Sequence, residues 1–201
     1  MLRTMAELAA TARPPATEAD LLRMPNDGYK YELVDGEIRM SPGGARHGQV
    51  GVRLSAVLHA FVIERSLGHV FESSTGFRLP GGNVRSPDVS FVRAARFENE
   101  QVPEGFPDLA PDLAVEVLSP GDSPRHVLDK VGEYLQAGVR LVWMIDPRRQ
   151  RAAVYRSLTD VKELRPPQPQ LNMLQRFFIQ FLLSVTTRGD KVRRSIFRIP
   201  G

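Results

Sequence analysis

Two carboxylates sit where apolar strands do not need them. Asp88 opens the stretch Pro87-Asp88-Val89-Ser90-Phe91-Val92, and Glu116 lies near the end of Asp112-Leu113-Ala114-Val115-Glu116-Val117-Leu118. Both stretches are Val-rich, mostly apolar and bounded by turn formers, which marks short buried strands. Neighbouring strands lie ~4.8 Å apart. Laid side by side, these two would bring both carboxylates onto one divalent cation, because hard cations such as Mg2+ take oxygen ligands. Taken singly, each acid has a plainer reading: Asp88 caps a strand start, and Glu116 is an exposed edge residue.

Three Pro-Asp pairs compete for the first carboxylate: Pro87-Asp88, Pro107-Asp108 and Pro111-Asp112. Asp112 precedes Glu116 by four residues in one strand, a separation of about 13 Å, too far to share an ion. Asp108 lies in a Pro-rich loop with no apolar strand after it. Asp88 alone leads into a separate strand that can lie beside the second. Lys130 is the third member. It sits at the edge of a helical apolar stripe, from which its stem can run along the packed face and its ammonium reach over the sheet. There it could stabilise charge on an attacked phosphate or help deprotonate a water. Its plainer reading is a helix-flank Lys paired with Asp129 or Glu133.

The elements that must position these residues can be read in order. Thr17 caps a short helix with Asp20 at N3. Tyr29–Val34 and Glu37–Met40 form a hairpin around Asp35-Gly36. A helix runs from about His47 to Arg65, with Val50, Leu54, Val57, Leu58 and Phe61 as its buried stripe and His47 in its first turn, aimed at the sheet. Phe71–Leu79 and Val84–Val92 read as strands, 93–111 as a loop with one helical turn at most, and 113–118 as a strand. Ser123 and Pro124 start a helix whose stripe is Val127, Leu128, Val131, Tyr134 and Leu135, ended at Gly138. Leu141–Ile145 and a last strand, Ala152–Tyr155, complete an α/β body with a mixed sheet.

A chain of 201 residues is long enough for one domain with extensions. With no Cys, a disulfide framework and a thiolate metal site are excluded, which fits a cytoplasmic setting. The N-terminus does not read as a signal peptide, and no apolar run approaches the ~20 residues of a membrane span. The net charge of +4 divides unevenly: residues 1–164 hold 20 basic and 22 acidic side chains, while 165–201 hold seven basic and one acidic. The pI therefore says little about a nucleic-acid partner. Residues 1–16 read as disordered, 17–164 as the domain, and 165–201 as a divergent basic tail in which Leu171–Val185 could form an amphipathic helix.

At this point the sequence resembles a family. Pro87-Asp88 with Glu116 is similar to the PD-(D/E)XK nuclease superfamily. The segments Tyr31-Glu32-Leu33-Val34-Asp35-Gly36-Glu37, Ser86-Pro87-Asp88-Val89, Glu116-Val117-Leu118-Ser119-Pro120 and Lys130…Glu133-Tyr134…Gly138-Val139…Trp143…Asp146-Pro147 resemble, in order and spacing, the Uma-type family of putative restriction endonucleases within it. The resemblance covers about residues 18 to 160. It implies a restriction-endonuclease-like mixed β-sheet flanked by helices, a Mg2+- or Mn2+-dependent phosphodiesterase acting on DNA, and Asp88 and Glu116 as metal ligands. The superfamily's Lys, two residues after the Glu, is Leu118 here, and the family's basic residue maps onto Lys130. Glu32 matches an early family Glu and either joins the acidic cluster or faces water from the hairpin. His47 stands where the family tends to have a His, with a buried His satisfied by backbone as the competing account. The closing Leu-Pro-Gly-Phe-like element of the family has no counterpart after about Leu164.

The reading is thus a metal-dependent endodeoxyribonuclease with Asp88, Glu116, Lys130 and Glu32 as its site, with homodimerisation consistent with cutting two strands. Its rival is a catalytically inactive nuclease-fold module that binds nucleic acid or a protein partner. An Arg-lined rim around Asp88, to which Arg46, Arg53, Arg78, Arg85 and Arg93 could contribute, would favour the enzyme.

Overall fold

The computed structural model describes residues 14–41 and 43–164. The tail helix expected over 171–185 and the segment before residue 14 lie outside them. The chain opens with α1 (Glu18–Leu21), closed by a reciprocal capping box between Thr17 and Asp20. The hairpin follows as β1 (Lys30–Val34) and β2 (Glu37–Ser41). Asp35 and Gly36 both take positive φ, 53° and 75°, as the tight turn between them requires. Next come α2 (Ala45–Glu64), β3 (Gly68–Glu72), β4 (Phe77–Arg78), β5 (Val84–Arg85) and β6 (Val89–Arg93). After two short 3-10 turns come β7 (Leu113–Val117), α3 (Pro124–Gln136), β8 (Leu141–Asp146), β9 (Arg151–Tyr155) and β10 (Val161–Leu164).

The strands form two sheets. A small one has the order β2-β1-β5-β4, and a large one β10-β9-β8-β7-β6-β3, with β7 and β8 parallel and the other neighbours antiparallel. Alternation along β6 and β7 assigns their two faces. Val89, Phe91, Leu113, Val115 and Val117 pack with Leu54, Leu58 and Phe61 of α2. Val92 and Ala114 pack on the other side with Val131 and Tyr134 of α3. The fold is thus the expected α/β domain, a mixed sheet with helices on both faces.

Five details differ from the sequence reading. The stretch 71–79 is two strands, because the carboxylate of Glu72 accepts the Ser74 N–H (3.0 Å) and turns the chain. The stretch 84–92 is also two strands, parted at Pro87, which has no N–H for a ladder. The loop 93–111 holds two 3-10 turns rather than one, and β10 follows what looked like the last strand. Leu128, assigned to the buried stripe of α3, is 50 % exposed. One glycine is required by close approach: at Gly68 (φ 152°) a Cβ would run into the Val92 carbonyl oxygen across the β3–β6 pair.

Candidate active site

The break at Pro87 creates the site. β5 belongs to the small sheet and β6 to the large one, so Ser86-Pro87-Asp88 is the crossing between them. β6 and β7 pair with Val89 opposite Val115 and Ser90 opposite Ala114. Carried one residue further, that register sets Asp88 opposite Glu116 on the α3 face, where facing Cβ atoms lie about 5 Å apart. Asp88 Oδ2 also accepts the Val117 N–H at 2.7 Å, which locks the carboxylate to the end of β7. Both acids are buried, at 6 % exposure each.

The small sheet supplies two more charged groups. Lys30 and Glu32 are two apart on β1 and so share a face. Glu32 Oε1 accepts the Ser86 N–H (2.8 Å), and Lys30 Nζ donates to the Ser86 carbonyl (2.6 Å) and to Asp88 Oδ1 (2.9 Å). Helix α3 supplies Lys130, Glu133 and Tyr134 from one side, since residues three and four apart share a face. Lys130 Nζ lies 2.8 Å from Glu116 Oε1 and 3.6 Å from Glu32 Oε2. The Tyr134 hydroxyl donates to Glu116 Oε1 at 2.6 Å. Glu133 pairs with Arg85, whose NH1 is 3.4 Å from Glu32 Oε2. His47, from the first helical turn of α2, places Nε2 2.9 Å from Asp88 Oδ2.

Burial and charge pull against each other here. Burial drives the Asp88 carboxyl upward, but the His47 hydrogen bond and the Lys30 ammonium overcome it and hold Asp88 below the usual range. For Glu116 burial wins over Lys130 and Lys30, and its pKa is raised. For Glu32 the balance falls the other way: burial is outweighed by Lys130, Lys30 and Arg85, and the carboxyl stays low. His47 is raised, chiefly by its hydrogen bond to Asp88 against burial. Tyr134 is pushed well up by burial, with the negative Glu116 beside it.

The donor set suits a small hard cation. Mg2+ usually keeps several waters and binds through one or two carboxylates plus a substrate phosphate. Among the described residues no three His, Asp or Glu side chains form a closed metal cage. Asp88 and Glu116 nevertheless face each other, and Glu116 meets Tyr134 and Lys130 through Oε1, while Oε2 takes no hydrogen bond among the described residues. A divalent cation at that oxygen would also offset the raised pKa of Glu116.

All four residues singled out from the sequence, Asp88, Glu116, Lys130 and Glu32, converge here, and His47 joins them. Glu32 is buried in the cluster, not facing water. Lys130 reaches the acids over the sheet instead of pairing along its own helix. The arginines do not gather as a group: Arg78 pairs with Glu18, Arg93 with Asp112, and Arg85 is buried inside the cluster. Lys30 is not singled out by the sequence reading, although its spacing of two from Glu32 on a strand is a usable signal. The role of Arg85 depends on Leu33 of β1 pairing with Val84 of β5, about fifty positions apart, and carried no local signal.

Comparison with known proteins follows the same line. The profile of a family described as "Uma2: Putative restriction endonuclease" matches residues 18–186. Among solved structures, a putative nuclease belonging to DUF820 from Anabaena variabilis ATCC 29413 superposes with a TM-score of 0.67 at 24 % identity, covering 81 % of this chain and 93 % of that one. That likeness establishes the fold. No curated protein matches the chain.

Proposed function

We propose a hydrolytic role for this site from a fixed premise: the chain belongs to the Uma2 family of putative restriction endonucleases. The reaction is hydrolysis of a DNA phosphodiester bond with Mg2+ or Mn2+. The observation that carries it is the facing of Asp88 and Glu116 across β6 and β7, with Lys130 at 2.8 Å from Glu116. Asp88 and Glu116 would hold the cation, which when bound polarises a phosphate and lowers the pKa of a bound water. Lys130 places a positive charge where a phosphate would gain negative charge. Tyr134 fixes Glu116 through Oε1, and Glu32 tethers the crossing at Ser86 and orients Lys130. Lys30 and His47 hold Asp88 ionised and in place.

The rival, a nuclease fold that binds without cutting, draws on the Lys30–Asp88 pair, which already neutralises one carboxylate. The two part on one experiment. Nicking of supercoiled plasmid is measured with Mg2+ and with Mn2+ for wild type, Glu116→Gln and Lys130→Ala, alongside calorimetric metal binding. The enzyme reading expects metal-dependent nicking that falls about a thousandfold in Glu116→Gln and about a hundredfold in Lys130→Ala. A folded wild type that neither binds metal nor nicks overturns it in favour of the binding module.

A further inference from the structure

We propose that the β8–β9 turn, Pro147-Arg148-Arg149-Gln150, together with Arg46 at the start of α2, is a docking rim for the phosphate backbone flanking the cleaved bond. The inference rests on the reading of the site as a nuclease and names how its substrate is held.

Position comes first. β7 and β8 are parallel, with Glu116 opposite Met144. Asp146 is two residues further along β8, so it projects from the same face and the same end of the sheet as Glu116. At ~3.3 Å per residue and ~4.8 Å between strands, their Cα atoms lie about 8 Å apart. The turn begins there, and β9 returns with Arg151 opposite Asp146. One strand of duplex DNA carries a phosphate every ~3.4 Å along the axis. Extended arginines on this turn therefore reach phosphates a few steps from one held between Asp88 and Glu116.

Asp146 fixes the turn that carries these arginines. Asp146 Oδ1 accepts the N–H groups of both Arg148 (3.0 Å) and Arg149 (2.9 Å). Its Oδ2 lies 3.1 Å from Arg149 NH1 and 3.6 Å from Arg151 Nε. Gln150 takes the left-handed conformation (φ 50°) that closes the loop. On the other flank, Arg46 NH2 donates to the Pro147 carbonyl at 3.1 Å. Arg46 is next to His47, which contacts Asp88, so one turn of α2 ties the rim to the carboxylate site. Arg148 and Arg149 are exposed, and among the described residues the Arg148 guanidinium has no carboxylate partner. Asp146 and Glu163, the latter 3.9 Å from Arg151 NH1, are the acids that these arginines meet in the described residues. Asp122 lines the same cleft as Arg149 and Arg151, so Arg46, Arg148, Arg149 and Arg151 stand against three acids and leave a modest positive excess at the rim.

The test is equilibrium binding of a short labelled duplex, followed by fluorescence anisotropy in EDTA between about 50 and 200 mM salt. The variants are Arg148→Ala/Arg149→Ala, Arg148→Lys/Arg149→Lys, and Arg140→Ala, whose side chain is 69 % exposed at the opposite end of the sheet. Each phosphate contact adds ~0.9 to the slope of log K against log salt, so the double Ala variant should lose about two units of slope and bind at least ~10-fold more weakly. The Lys pair should retain the slope, and Arg140→Ala should match wild type. An unchanged slope in the double Ala variant overturns the rim, as does a wild type that binds no duplex. Binding without plasmid nicking would refute the nuclease reading and leave the rim standing. Nicking with an unchanged slope would do the reverse.

Discussion

The two ends of β7 carry one aspartate or glutamate each, and they are built in opposite ways. At its start Asp112 is met by excess positive charge: it accepts the Arg93 N–H (3.0 Å) and lies 3.1 Å from Arg93 Nε, 3.2 Å from Arg96 and 3.9 Å from Arg140. At its end Glu116 shares a buried space with Asp88 and Glu32, and Lys30, Lys130 and Arg85 are spread among these three carboxylates and that of Glu133. Asp112 and Glu116 are almost equally buried, at 7 % and 6 %, so burial does not separate them. The number of cations per carboxylate does. A carboxylate surrounded by arginines is satisfied and serves the fold, whereas carboxylates crowded together are left short of positive charge.

Substitution should split the two ends most sharply. Glu116→Gln removes a charge that burial already disfavours, so the melting temperature should hold or rise while nicking collapses about a thousandfold. Asp112→Ala takes the acceptor from the Arg93 backbone N–H and Nε and the counter-charge from Arg96 and Arg140, of which Arg96 keeps its bond to the Ala110 carbonyl. It should cost about 2 kcal/mol of stability and leave the turnover of the folded fraction unchanged. Scanning calorimetry and plasmid nicking on the two variants measure both quantities. Loss of turnover in Asp112→Ala at a temperature where it remains folded would erase the distinction.

Tyr134 sharpens the comparison by a smaller step. Its ring fills the core under α3, and its hydroxyl donates to Glu116 Oε1. Tyr134→Phe keeps the ring and loses the orienting bond. Metal affinity at the acidic end should fall by about tenfold, the scale of a group that holds a ligand in place. Arg140→Ala, the corresponding loss of a partner at the other end, should leave metal affinity as it is. Calorimetric titration with Mn2+ decides between these outcomes.

Much of this was legible beforehand, and the reason is local chemistry. The capping box at Thr17, the Asp35-Gly36 turn and the Ser123-Pro124 helix start are short signals with one physical meaning each. Asp88 stood out because a Pro-Asp pair led into an apolar strand, and Lys130 because of its angle on the helix. What stayed hidden depends on pairing across long separations. Nothing near Arg85 indicates that it will lie under Glu32, and nothing near Arg148 indicates that its turn will share an edge with Glu116. Leu128 was misassigned because helical periodicity gives the angle of a stripe but not its width, and the covered face of α3 ends short of it.

Asp146 supplies the finest distinction, because it lies at the acidic end yet is built like Asp112. Burial would raise its carboxyl, but the backbone and side-chain hydrogen bonds of Arg149 and the N–H of Arg148 hold it below the ordinary 3.8. A carboxylate lowered in the folded state stabilises the fold above its unfolded pKa, and that contribution is lost as pH falls through the folded value. Asp146→Asn retains an oxygen for the two backbone N–H groups and removes the titration. Wild type should therefore melt higher than Asp146→Asn near neutral pH, with the gap closing as pH falls below about 4. Nicking should be altered only as far as the turn loosens, since Asp146 contacts none of the carboxylates around Glu116. A gap in melting temperature that stays constant down to about pH 3 would mean that the arginines of the turn do not stabilise the ionised form. The likeness to Asp112 would then fail.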